Sequence, residues 1–267
     1  MFNILQYTFF QHALMGAFLA SLLCAMIGTY VVTRRLVIAG GGVAHASLGG
    51  VGIGAYCGFS PLLGAAGFAL FSALSINMLS RKDVREDSAI AMLWTFGMSI
   101  GIMGAYLTPG FMTELPLYLF GDILSITTTD LWLTGILLSA TALFFYFYLP
   151  VIITVSYDRD FAITQGLPVK TVELTMTALT ALTIVACLHL VGVVLVISML
   201  SIPQTTAALF VHTFRRMIGW SAIIAFAECL GGLLISYYFN VPSGAAIILL
   251  SVSTYFILRT IKNAILR

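Results

Sequence analysis

The sequence predicts an all-α, polytopic membrane protein with eight or nine transmembrane helices, and three observations carry that prediction. Of the 267 residues, 60% are hydrophobic and only 8% are charged, and the mean hydropathy is +1.07. A water-soluble core of this size cannot bury that much apolar side chain, so soluble, disordered, collagen-like and disulfide-scaffold classes are excluded. The apolar residues also come in long unbroken runs, which excludes a membrane barrel built from short alternating strands. Finally, all twelve basic residues fall at five places: Arg34 and Arg35; Arg81, Lys82 and Arg85; Arg159 and Lys170; Arg215 and Arg216; Arg259, Lys262 and Arg267.

A helix needs about 20 apolar residues to cross the hydrocarbon layer, so the stretches between basic clusters convert into crossings by length. Residues 1–33 supply one. Within them Tyr7, Phe9 and Phe10 read as an aromatic belt on the outer interface, with the membrane helix beginning near His12; without that crossing the count is eight. Residues 36–80 supply two, turning at Cys57-Gly58-Phe59-Ser60-Pro61. Residues 88–113 and 131–157 supply one each, flanking a segment whose charges are Glu114, Asp122 and Asp130. Residues 174–214 form a hairpin turning near His189-Leu190-Val191-Gly192, and residues 217–258 another turning at 240–244. With nine crossings every basic cluster lands on one face. The positive-inside rule makes that face cytoplasmic, with the amino terminus outside and the carboxyl terminus inside the inner (plasma) membrane. The first 33 residues carry no Lys or Arg, so no cleavable signal peptide is predicted. The net charge of +2 is an orientation signal and not a nucleic-acid patch. No repeat, linker or low-complexity tract divides the chain, so residues 1–267 read as a single membrane domain.

Chemistry is sparse. There is no phosphate loop of the G-x-x-x-x-G-K-[ST] type, no G-x-G-x-x-G after a strand, no H-E-x-x-H and no G-x-S-x-G, so nucleotide energy would have to come from another chain. Cys24, Cys57, Cys187 and Cys229 lack C-x-x-C spacing and read as small packing residues.

Two ionisable side chains fall inside predicted crossings. In the second crossing, small residues at 42, 46, 50 and 54 line one helix face and allow close helix contact, and the neighbouring row places His45 between Gly41 and Gly49. The imidazole is either a core histidine bonded to another helix or part of a pathway. Glu228 lies about eleven residues in from Arg216-Met217 and roughly as far from the outer turn, near mid-membrane. It is either a neutral, hydrogen-bonded residue fixing helix register or a pathway group, because a buried carboxylate must be protonated, paired or bound to a cation. His189 sits at the outer turn and reads either as a metal-pathway group or as a solvated turn residue. The stretch from Ser156 to Lys170 reads as a short cytoplasmic helix: Asp158 and Asp160 suit its amino end, Gly166 its carboxyl end, and Pro168 a stop.

Six ordered segments resemble one family, the integral-membrane permeases of ATP-binding-cassette importers for zinc, manganese and iron. The likeness runs from about Phe18 to Phe256. It rests on Arg34-Arg35 with the glycine-rich helix through Gly41, His45 and Gly49-Gly50; on Arg85-Glu86-Asp87-Ser88-Ala89-Ile90; and on Tyr118-Leu-Phe-Gly121-Asp122-Ile-Leu-Ser125 at the outer side. It continues in Asp160-Phe161-Ala162 with Gly166-Leu167-Pro168, in Ser201-Ile-Pro203-Gln-Thr-Thr-Ala207, and in Ser236-Tyr-Tyr-Phe-Asn240-Val-Pro242-Ser243-Gly244. The resemblance implies a translocation subunit that is not itself an enzyme and carries no resident cofactor. Its implied partners are a second permease copy, an ATPase dimer contacting residues 157–168, and an extracytoplasmic metal-binding protein. It also implies that His45, with an Asp four residues earlier in many members, gates the path, but here that position is Gly41. Either Glu228 from another helix completes the gate, or the metal passes one imidazole per subunit, with two copies of His45 facing each other. A site with few hard oxygen ligands argues against magnesium and calcium, and the absent carboxylate leans the expected cargo to zinc or iron over manganese.

Three other functions fit the composition less well. Permeases for metal chelates such as siderophores or cobalamin are implied to be longer. An intramembrane enzyme using Asp122 or Glu228 would need a paired motif that is missing. A secondary transporter would need inverted repeats and several charged midplane groups.

Overall fold

The computed structural model describes residues 7–79, 85–108, 121, 123 and 126–265, apart from the His189 and Ile265 side chains. Those residues form ten helices and no strands: α1 (Thr8–Thr33), α2 (Val37–Cys57), α3 (Pro61–Leu79), α4 (Glu86–Leu107), α5 (Thr128–Tyr157), α6 (Arg159–Thr164), α7 (Val169–Met199), α8 (Ile202–Ala208), α9 (Phe214–Phe239) and α10 (Ser243–Ile265). Among the described residues nine helical spans are long and apolar enough to cross a membrane, two of them, Val169–Leu188 and Leu190–Ala208, being the arms on either side of a break in α7.

The break is at Gly192, whose φ of 77° and ψ of 164° only glycine adopts readily. The chain reverses there. Cys187 Sγ lies 3.8 Å from Cys24 Sγ, and Gln204 Nε2 donates to Cys24 O at 2.8 Å, so both arms touch one residue of α1. A straight helix would hold residues 187 and 204 about 25 Å apart. The hairpin expected near 189–192 is therefore present, with its returning arm interrupted again before Pro203, which opens α8.

Helix starts follow local chemistry. Thr127 and Asp130 form a capping box on α5, the Asp130 carboxylate accepting from Thr127 N at 3.0 Å and from Thr127 Oγ1 at 2.6 Å. The edge charge of the outer segment is thus a helix cap. α1 begins at Thr8, four residues before the expected start near His12; Tyr7 and Phe9 stay exposed with stacked rings, while Phe10 is buried.

α7 is the central helix, packed on α1, α2, α3, α5 and α10. α2 packs chiefly on α3, α4 and α7, whereas α9 packs on α1, α8 and α10. Between α2 and α4 the backbones touch directly: a Cβ on Gly52 would stand 2.6 Å from Gly101 O and 2.7 Å from Gly101 Cα. In lipid, where apolar surface gains nothing from leaving the solvent, such close contact is what holds helices together. The small-residue row at 42, 46, 50 and 54 divides between two neighbours: Gly42 and Ala46 meet Ile90 and Gly97 of α4, whereas Gly50 and Gly54 meet Gly64 and Pro61 of α3, and the closest backbone contacts with Gly97 and Gly101 of α4 come from Gly49 and Gly52 beside the row.

The described basic residues share one end of the bundle. Arg34 closes α1, and with Glu86, Arg159 and Glu173 it lines a single cavity. The turn at Tyr238, Asn240 and Val241 lies beside Phe9 and Phe10, at the opposite end of α1, so Arg215 and Arg216 at the start of α9 lie at the Arg34 end. Lys262 donates to Leu209 O at that same end.

The Gly52 contact predicts that Gly52→Val forces α2 and α4 apart and lowers the thermal midpoint in detergent, at a cost of about 1–3 kcal/mol. Gly67→Val is the matched control, because a Cβ on Gly67 meets nothing within 4 Å; it should leave the midpoint unchanged.

Candidate functional site

His45 is on α2, eight residues past Val37 and so about 12 Å from the basic end. Its half-buried ring lies flat on Trp94 of α4, with centroids 4.4 Å apart and planes 7° apart. Nδ1 is buried without a hydrogen-bond partner among the described residues. A buried polar nitrogen left unpaired costs about 1–3 kcal/mol. One turn earlier, a Cβ on the buried Gly41 would meet only Ile197 Cδ1 at 3.7 Å, so position 41 has room for a side-chain atom.

Glu228 is 3% exposed, and neither carboxylate oxygen has a hydrogen-bond partner among the described residues. Twelve residues from Arg216 and eleven from Phe239, it sits about 18 Å from either end of α9, as its sequence position implied. Ser251 of α10 lies against it, but the Ser251 hydroxyl donates to Ile247 O at 2.9 Å. His45 and Glu228 are not brought together: α9 is not among the helices packed on α2. The structure therefore gives no support within one chain to a Glu228 that completes the His45 donor set. Among the described residues no three His, Cys, Asp or Glu side chains converge on a metal-sized site. Asp122 and the His189 side chain lie outside the described residues. Their neighbourhood is partly visible, because the backbone of Gly121 packs directly on Val191 and Gly192 at the hairpin turn. Of the cysteines, Cys24 and Cys187 pair as buried thiols and Cys57 is exposed.

At the basic end the short helix expected from 156–170 is present as α6. Asp158 caps it by accepting from Phe161 N at 2.9 Å, and Gly166 ends it with φ 69°. Pro168, expected as a stop, also caps the start of α7. Ala162 is fully buried against Val155 and Val169, with Leu167 packed on the same cluster. Phe161 (52% exposed) and Ile163 (49% exposed) point away from it, and Asp160 is exposed beside them. The helix is thus anchored on one side and presents an apolar tip on the other.

Sequence reading missed the residue that ties this helix to the bundle. Glu173 Oε1 accepts from Arg34 NH2 at 2.9 Å and from Arg159 Nε at 2.8 Å, while Arg34 NH1 donates to Val155 O at 2.9 Å. The hydrogen bond and charge of Glu173 hold the Arg159 guanidinium above its ordinary range. One carboxylate therefore joins α6 to α1, α5 and α7 at the rim of a cavity of about 460 Å3. The available signal was that Glu173 is the only acidic residue of α7, between two basic clusters that both needed a counter-charge.

Comparison with known proteins follows the same lines. Residues 6–262 match the model of the ABC 3 transport family. A membrane protein of Synechocystis is 40% identical over 96% of this chain and 92% of its own length. The manganese transport system membrane protein MntC of Halalkalibacterium halodurans is 34% identical over 96% of this chain and 88% of its own. Among solved structures, PsaBC from Streptococcus pneumoniae in complex with Fab superposes with a TM-score of 0.87 at 27% identity, covering 96% of this chain and 92% of that one.

Glu173→Gln removes the carboxylate that the Arg34 and Arg159 guanidinium groups share. Amide exchange across residues 159–166 is expected to speed up roughly tenfold, the equivalent of about 1.4 kcal/mol. Exchange at the wild-type rate would show that the anchor is Ala162 alone.

Proposed function

The chain belongs to the ABC 3 transport family, and from that premise we propose that it is the translocation-pathway subunit of an ATP-driven importer of a divalent transition-metal ion. The observation that carries the reading is His45: an imidazole inside the membrane, half-buried on a helix seam, with no hydrogen bond to satisfy it among the described residues. A single nitrogen donor suits a path, since cargo held by one imidazole per subunit is released easily, and borderline metals accept nitrogen where magnesium and calcium demand oxygen. The cargo is zinc, iron or manganese. The lone imidazole orders zinc and iron first, whereas the MntC relative is by name a manganese system.

Nucleotide energy comes from a separate ATPase dimer that docks on 157–168, where Asp160, Phe161 and Ile163 are exposed while Ala162, Gly166, Leu167 and Pro168 shape and seat the segment. An extracytoplasmic metal-binding protein delivers the ion on the face carrying Asp122 and His189. A second copy of the chain completes the path, so that two His45 rings can share one ion. Glu228 is a separate mid-membrane group within each protomer. The basic end faces the cytoplasm of the inner membrane, with the carboxyl terminus on that side, and residues 1–267 act as one permease domain.

Two variants separate path from coupling. His45→Ala should reduce metal accumulation to background in cells or proteoliposomes, with membrane insertion and ATPase co-purification retained; normal accumulation would overturn the pathway assignment. Phe161→Ala should instead lose ATPase co-purification with metal binding retained, and undiminished co-purification would overturn the docking assignment.

A further inference from the structure

A metal-binding imidazole works only if its lone pair is aimed, and histidine ligands are ordinarily oriented by a hydrogen bond from the other ring nitrogen to a carboxylate or carbonyl. Here that device is missing. Neither ring nitrogen of His45 has a hydrogen bond among the described residues, Nδ1 is buried, and Gly41, one turn back on the same face, has no side chain to offer. The ring is nonetheless held in one plane by the indole of Trp94, 4.4 Å away and 7° from parallel. Trp94 is itself fixed, its Nε1 donating to Met98 Sδ at 2.9 Å one turn along α4. The backbones that carry the two rings cannot slide past each other, because a Cβ on Gly97 would stand 2.6 Å from Ala46 Cα. Trp94 is 36% exposed, more than a tryptophan serving only to fill a core.

We infer that Trp94 is the positioning residue of the His45 donor, doing by ring stacking what a carboxylate does by hydrogen bonding, and that the resulting neutral, single-nitrogen donor favours zinc or ferrous iron over manganese. The inference rests on the pathway reading of His45 and adds what aims the ring and what selectivity follows. An imidazole with no anionic partner is a weaker base and brings no oxygen to the ion, and manganese depends on oxygen donors most among the three. The space at position 41 is open, since a Cβ there meets only Ile197 Cδ1 at an ordinary 3.7 Å, so a carboxylate placed at that position can orient the ring instead.

The test uses the full permease with its ATPase. Trp94→Leu fills the space without an aromatic plane and should raise the metal concentration for half-maximal uptake about tenfold, the usual cost of losing a ligand's orienting partner, with the maximal rate and ATPase association kept. Trp94→Phe should recover most of that affinity. Gly41→Asp placed in the Trp94→Leu chain should also recover it and shift competition toward manganese. A second readout needs no transport: with Trp132 and Trp220 changed to Phe, Trp94 is the only tryptophan, and added Zn2+ should alter its emission in the purified permease, an effect lost in His45→Ala. If His45→Ala abolishes uptake while Trp94→Leu leaves half-saturation and selectivity unchanged, or if Zn2+ leaves Trp94 emission unaltered, the positioning role is overturned and the pathway reading stands. If His45→Ala takes up metal normally, the pathway reading itself falls.

Discussion

Backbone-to-backbone contact between α2 and α4 is the constraint on which the rest of this structure depends. The contact needs residues without side chains on both helices, and Gly52 against Gly101 supplies it. In a bilayer no hydrophobic gain drives helices together, so association comes from van der Waals contact and the few polar bonds available. Once the two backbones are locked, the position of every side chain along the seam is determined to within a rotamer. His45 and Trp94 meet there, one from each of the two locked helices, with their rings stacked.

The same economy governs the basic end. Glu173 gathers Arg34 and Arg159, and Arg34 adds a bond to the last turn of α5, so the outward-facing helix α6 is fastened to three long helices through one carboxylate. Two of those helices, α1 and α7, pack together through the buried Cys24 and Cys187 contact, and α7 packs on α2. A push on Phe161 therefore has a continuous packed route toward the helix that carries His45. Its two ends are the proposed docking surface and the proposed donor atom, the parts an energy-coupled permease must connect.

Most of the fold was legible in the sequence because bilayer thickness converts charge-free length into helix count, and lipid forbids loops between the clusters. Local chemistry was legible too: Asp158 caps α6, Gly166 ends it, and Gly192 turns the hairpin, each through a conformational preference of its own residue type. Partners were not legible, since they depend on which helices lie side by side. Glu173 belongs to no motif, and its role shows only once Arg34 is placed beside it. Trp94 falls in no recognised motif, and Cys24 and Cys187, 163 positions apart, gave no hint of contact. For the same reason Glu228 was paired in expectation with His45, although its helix packs on α1, α8 and α10.

Accessibility of position 45 tests the account most directly. With the exposed Cys57 replaced by Ser, the other three cysteines are fully buried, and a cysteine in place of His45 becomes the one thiol a charged, membrane-impermeant reagent can reach through a water-filled route. In the complex with the proposed ATPase, the account predicts that His45→Cys is modified in at least one nucleotide state and that Zn2+ blocks the modification. A thiol that stays inert in every nucleotide state, or that reacts equally with and without Zn2+, would contradict it.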